Sequence, residues 1–248
     1  MCENKFGAII FRSLVLLVAL GAVRQAAPQD AATPYRNMAP VDQYLMGKNA
    51  EIQLARSAAP DSISRDATVL ILGRQGYETA IEGKNGFVCF VGRGFGAAFD
   101  WAEFWNPKVK AADCLNPQAA RSILPIVYLR ARMVMAGRSN VDIESALKEA
   151  YEKKQLPELE NGAMDYMMSK SSYLTDAGFN MPHLMFYTLV KDGKDWGSGA
   201  AGSPVMSSPY WFFSPTEESQ AQGLPPILVF MVAAANWSDG TPAGQRHE

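Results

Sequence analysis

Histidine is nearly absent from this chain of 248 residues: only His183 and His247 occur. A protein zinc site draws three or four ligands from His, Cys and carboxylates, and no close-spaced set of them is present, so no metal is expected. Charge of one sign is also lacking. Lys plus Arg number 23 against 25 for Asp plus Glu, a formal charge of −2. No broad field would draw in nucleic acid or anionic lipid, and nucleic acid is excluded as a partner. Missing too is any apolar run long enough to span a bilayer, which takes about 20 residues. Nucleotide and hydrolase signatures are absent as well. No Gly-Lys-Ser or Gly-Lys-Thr closes a phosphate loop, no G-x-S-x-G elbow occurs, and Ser169 and Lys170 are adjacent rather than spaced as Ser-x-x-Lys. No cofactor is expected.

What is present begins at the amino end. Lys5 and Arg12 precede "SLVLLVALGAV", residues 13–23, which then meets Arg24. This run falls in the range of a signal-peptide core, about 7 to 15 residues. Small residues that suit a signal peptidase stand at Ala19, Gly21, Ala26 and Ala27, and the cut is not fixed among them. Extending the run back through "FGAIIF" to make an anchor would enclose Arg12, at a cost of about 2.5 to 3.5 kcal/mol at mid-membrane depth. Residues 1–27 therefore read as a signal peptide, with membrane contact only before cleavage and a periplasmic or extracellular destination. Residues 28–40, "PQDAATPYRNMAP", read as an extended linker. Of three cysteines, Cys89 and Cys114 remain after the leader. Either they form a disulfide, closing a loop of about 26 residues and adding roughly 3 to 3.5 kcal/mol, or one is a buried strand residue and the other a loop thiol. The sequence leaves both open.

A hydrophobic content of 48% is ample for a core. Helical spacing is expected over 42–58, with Gly47 as a weak point. Strands are expected at 67–73 and at two runs within 77–94 that flank "GKNG", where Asn85-Gly86 predicts a β-hairpin. Asn116-Pro117 marks a helix start, Pro125 bends or splits that helix, and a second helix follows from about Val141 to Lys154 behind Ser139 or Asn140. Glu144 and Glu149 each precede a lysine by four residues on its exposed face. Further strands are expected at "AMDYMMS", at 183–190 and at 227–234. The segment before Asn116 reads as irregular, and 191–226 reads as one long loop. The order predicts an α+β fold, an antiparallel sheet containing a β-hairpin with two or three helices on one side of it. It would form one domain over 41–241 with a flexible tail at 242–248.

Three features carry candidate chemistry. Gly92, Gly94 and Gly96 follow a strand but are spaced G-x-G-x-G, not G-x-G-x-x-G, so they are read as a strand exit rather than a phosphate cradle. His183, in "NMPHLMFY", is the natural general base, with Asp165, Asp176 or Asp195 to orient it and Ser169, Ser171 or Ser172 as nucleophile. The set taken forward is His183, Asp165 and Ser169. Its plainer reading is a buried histidine satisfied by a backbone carbonyl. Aromatics in loop segments, Trp105, Trp196, Tyr210 and Trp211, are candidates for ligand binding, against the alternative that they fill the core.

The stretch "ARSAAPDSISRDATVLILGRQGYETAIEGKNGFVCFV", with "FWNP", "GAMDYMMSK", "PHLMFY" and "NWSDGT", resembles a group of uncharacterised secreted bacterial proteins over roughly residues 50–241. The resemblance implies export and one domain, and no activity. The expectation is a non-catalytic exported module that binds a small molecule, glycan or protein; the alternative is a secreted hydrolase with His183 as general base.

Overall fold

A computed structural model describes residues 35–190, 192–211 and 223–244. The signal peptide and His247 lie outside them, as do most of the linker and the end of the tail. Among the described residues the chain is mixed α and β, dominated by one sheet of eight strands. In chain order the strands are β1 (Thr68–Gly73), β2 (Gly76–Ile81), β3 (Val88–Gly92), β4 (Ala111–Leu115), β5 (Met164–Met167), β6 (His183–Thr188), β7 (Val205–Pro209) and β8 (Leu228–Ala233). Among the described residues five α-helices accompany them: α1 (Lys48–Arg56), α2 (Asp61–Ser64), α3 (Pro117–Ser122), α4 (Leu124–Met135) and α5 (Asn140–Glu152).

The sheet runs β2-β1-β3-β4-β5-β6-β8-β7. Every pair is antiparallel except β1 with β3. That exception corrects the hairpin expected at Asn85-Gly86: β2 and β3 do not pair, because β1 lies between them. The hairpin is instead the one joining β1 to β2, where Gly73 faces Gly76. Burial explains the preference. "TVLILG" is apolar on both faces and suits an interior position, whereas β2 carries exposed Glu78 and Thr79 and suits an edge. The Asn-Gly pair still makes a turn, with Gly86 at φ 80° and the Asn85 side chain accepting from Phe87 N, but the turn belongs to a loop that crosses the end of β1. Lys84 N donates to Asp66 O, and Asn85 Nδ2 donates to Ile63 O at 2.7 Å. Gly83 is essential to that crossing, since a Cβ there would lie 2.1 Å from Thr68 N.

Strand parity divides the core in two. Cys89, Val91, Ala112 and Cys114 pack with Val69 against Ala55, Ala58 and Ala59, so α1 covers one face. Leu70, Leu72, Phe90 and Leu115 face the other way, into a larger cluster with Ile126, Val134, Ile143 and Leu147 of α4 and α5. Helices therefore cover both faces of the sheet, not one side as expected, because β1, β3 and β4 are apolar on both faces.

Local signals explain the helices. Asn116 caps α3 by accepting from Ala119 N, with Pro117 in the first turn. The break between α3 and α4 falls at Ile123, just ahead of Pro125. Ser139 and Asp142 form a capping box on α5, and both Glu–Lys pairs on its surface form. Gly47 is the amino-terminal cap of α1, so the helix expected from residue 42 starts after it. Two strands stand in segments expected to be irregular: β4, and β7 within the long loop. Residues 35–40 have no helix or strand, yet Tyr35, Met38 and Ala39 pack on the larger cluster. In the expected tail, Ala243 N donates to Ala235 O at 2.9 Å.

Cys89 and Cys114 stand opposite one another on β3 and β4 with their sulfurs at bonding distance, 25 residues apart in sequence. Such pairs persist in oxidising compartments. A Cys89→Ala/Cys114→Ala variant should lose about 3.5 kcal/mol of stability from the released loop. Urea unfolding measures it; a loss under about 1 kcal/mol would mean that the bridge does not form in the native protein. Among the described residues no helix is long and apolar enough to cross a membrane.

Candidate functional site

Between the sheet and α4 lies a cavity of about 480 Å3. Its floor comes from alternate residues of the central strands, Phe90, Leu115, Met185, Tyr187 and Val229, which the pleat turns to one face. Its roof is Ile123, Val127 and Arg130, and a 3-10 turn at Gly94–Gly96 closes one wall with Trp101. The glycine cluster thus ends β3 in a turn rather than at a helix terminus, which accords with a strand exit. Gly94 lets the wall pass Glu103 O, which a Cβ would approach to 2.4 Å.

Polar groups in this apolar wall are few and buried. Asp113 projects from β4 over Gly92, where a Cβ would come within 2.5 Å of Asp113 Oδ2. Asp165 projects from the next strand, and its Oδ2 accepts from Tyr187 Oη at 2.9 Å. Its Oδ1 is buried with no hydrogen-bond partner among the described residues. Burial pushes the Asp165 carboxyl up to about 7, against the weaker downward pull of the Tyr187 hydrogen bond. Asp113 is raised well above the usual carboxylate range, by burial first and the nearby Asp165 charge second. The two carboxyls titrate as a pair.

Arg130 is the basic counterpart. It is 1% exposed, donates to Gly96 O at 3.1 Å and to Ala97 O, and lies 4.6 Å from the Phe99 ring centre and 5.7 Å from that of Phe104. Burial lowers its guanidinium to about 10, partly offset by Tyr210. Arg93, at the cavity edge, pairs with buried Glu51 at 2.8 Å.

The candidates drawn from the sequence are distributed differently. His183 is buried on β6, outside the cavity lining, with Nδ1 2.8 Å from Met181 O. The carbonyl can only accept, so Nδ1 carries the proton; burial lowers the imidazole pKa. Ser169 is buried, shares a hydrogen bond of 2.6 Å with Ser57 Oγ and accepts from Ser171 N. Ser57 donates in turn to Leu54 O, so the Ser169 proton is directed at Ser57. Asp176 is held by Tyr173, Tyr35 and Lys108 at the surface, which keeps its carboxyl well below the ordinary range. His183, Asp165 and Ser169 thus each have separate partners, and only Asp165 lines the cavity.

Of the four aromatics, Tyr210 lines the cavity. Trp105 is buried in the core against Phe104, and Trp211 is buried with Nε1 donating to Pro225 O. Trp196 is 57% exposed and stacks on Phe230 with 4.6 Å between ring centres. Sequence reasoning missed Asp113, Arg130 and Tyr187. Arg130 had a signal: it is a lone charge inside the apolar run "LPIVYLRA".

Among the described residues no group of three or more His, Cys, Asp or Glu is placed to hold a metal. Comparison of the chain with protein-family models, with curated proteins and with solved structures finds no match.

Proposed function

We propose that this protein is an exported, non-catalytic module that holds a small, largely apolar molecule in the cavity under α4. The observation that carries the reading is the cavity itself. At about 480 Å3 it lies in the size range of small-molecule sites, and it is walled by aromatic and aliphatic side chains with a few buried polar groups. The bonded-distance cysteine pair and the charged, apolar amino end support export. A hydrolase centred on His183 has less support: its ring faces Met181 O, and neither His183 nor Ser169 lines the cavity.

Gly96 offers a direct test. It lines the cavity, has no positive φ, and a Cβ there would meet nothing within 4 Å. Gly96→Leu should therefore fill space without straining the backbone. The mature protein is expected to bind the neutral fluorophore N-phenylnaphthylamine with micromolar affinity, and Gly96→Leu to weaken it at least tenfold. Equal affinity in both proteins, or none in the wild type, would defeat the reading.

A further inference from the structure

An apolar cavity does not need two carboxyls in its lining. Asp113 and Asp165 sit on adjacent central strands with their side chains on the cavity face, and both are buried. Neither takes part in an ion pair among the described residues. Of the cations lining the cavity, Arg93 pairs with Glu51, and Arg130 donates to the carbonyls of Gly96 and Ala97 while its Nε has no hydrogen-bond partner among the described residues. Tyr187 Oη serves Asp165 Oδ2 and the Gly92 backbone amide serves Asp113, and acceptor capacity remains beyond them. Asp165 Oδ1 has no partner, and Asp113 keeps some exposure to the cavity. A buried carboxyl left in this state is costly, and a donor of opposite charge is the partner that offsets the cost best. The walls suit such a donor too, since the aromatic side chains of Phe90 and Tyr187 line the cavity and aromatic rings attract a cation.

Building on the cavity-binding reading, we propose that Asp113 and Asp165 form a head-group subsite and that the ligand is an apolar or aromatic molecule carrying a protonated amine. An ammonium offers three donors. One reaches Asp165 Oδ1 and another Asp113, while Tyr187 Oη keeps Asp165 Oδ2 fixed. The apolar body extends along the sheet toward Val229 and Val127. A carboxylate ligand would add negative charge beside the pair, and a neutral alcohol would leave one acceptor unmatched.

The test uses one apolar tail with three heads: octylamine, octanol and octanoate, titrated calorimetrically into the wild-type mature protein at about pH 7, where the amine is protonated and the acid ionised. Octylamine is expected to bind at least tenfold more tightly than octanol, with octanoate weakest. Asp165→Asn and, separately, Asp113→Asn should remove the amine preference and leave octanol affinity within about twofold. The wild-type series stands by itself if a variant fails to fold. Equal binding of all three heads, or tighter binding of octanoate through Arg130, would overturn the amine subsite while leaving the cavity reading intact. If none of the three binds, both fall together. A preference for octylamine that survives both substitutions would overturn the assignment of these two residues.

Discussion

Asp165→Asn is expected to stabilise the protein at about pH 8 and to do little at about pH 4, so that the gap between variant and wild type widens by about 4 kcal/mol across that interval. The reasoning starts from the raised carboxyl. In the unfolded chain Asp165 ionises near its ordinary value of 3.8, and in the native fold it holds its proton up to about 7. Between those values the native state binds the extra proton, so the stabilising contribution is complete below the unfolded pKa. It is then lost as pH rises through the folded one. Asparagine carries no charge at either end of the range, and its carbonyl can still accept from Tyr187 Oη. Other groups act in the opposite sense. His183, held neutral by burial, and Asp176 and Asp239, held ionised by their partners, all lose stabilisation as pH falls. Subtracting wild type from variant cancels these three; Asp113 does not cancel, because part of its raised value comes from the Asp165 charge, and losing that charge adds to the variant's gain at high pH. Thermal unfolding over a pH series measures the difference, and a gap that stays constant from pH 4 to pH 8 would show that Asp165 is not a buried proton carrier.

The elements that the sequence announced are those whose signals are local. Ser139 with Asp142, Asn116 with Pro117, and Pro125 each mark a helix boundary through groups within a turn of one another, and the boundaries stand there. Strand pairing is another matter. Asn85-Gly86 does turn, but whether its flanks pair depends on a competitor elsewhere in the chain, and β1 takes the place beside β3. Strand β4 was missed because "AADCL" holds no β-branched or aromatic residue and carries a charge at its centre, although its neighbours on both sides make it central. Its position is fixed by pairing, which no window along the chain contains.

The cavity follows the same logic. Asp165 lies in the apolar run "AMDYMMS", but residue type alone makes it one of three possible partners for His183, and no spacing selects it. The residue that pairs with it, Asp113, lay on the missed strand. Tyr187 is 22 residues from Asp165 and meets it only through the β5–β6 register. The glycines were visible from the start. What Gly92 accommodates, the Asp113 carboxylate, became visible only with the strand register.

The buried pair of Glu51 and Arg93 should give the other large effect. Glu51 sits on α1 and Arg93 just past β3, and both side chains are essentially sealed from solvent. Arg93 also donates to Tyr44 O at 2.8 Å and to Val91 O, so one guanidinium ties together the segment before α1, the end of β3 and the helix itself. Glu51 Oε1 accepts from Leu72 N at 3.1 Å, which ties β1 to the same point. Glu51→Ala strands the guanidinium without its counter-charge and leaves Leu72 N without an acceptor. Removing one partner of a buried pair costs about 3 to 5 kcal/mol, and that loss is expected here. Glu51→Leu combined with Arg93→Met removes both charges and keeps the volume, so it should recover the part of the deficit due to the uncompensated charge, while Leu72 N, Tyr44 O and Val91 O still lack these side-chain partners. Urea unfolding of Glu51→Leu, Arg93→Met and the double variant closes the cycle. If the double variant is as unstable as the sum of the singles, the two residues act independently and the pair is not what joins α1 to the sheet.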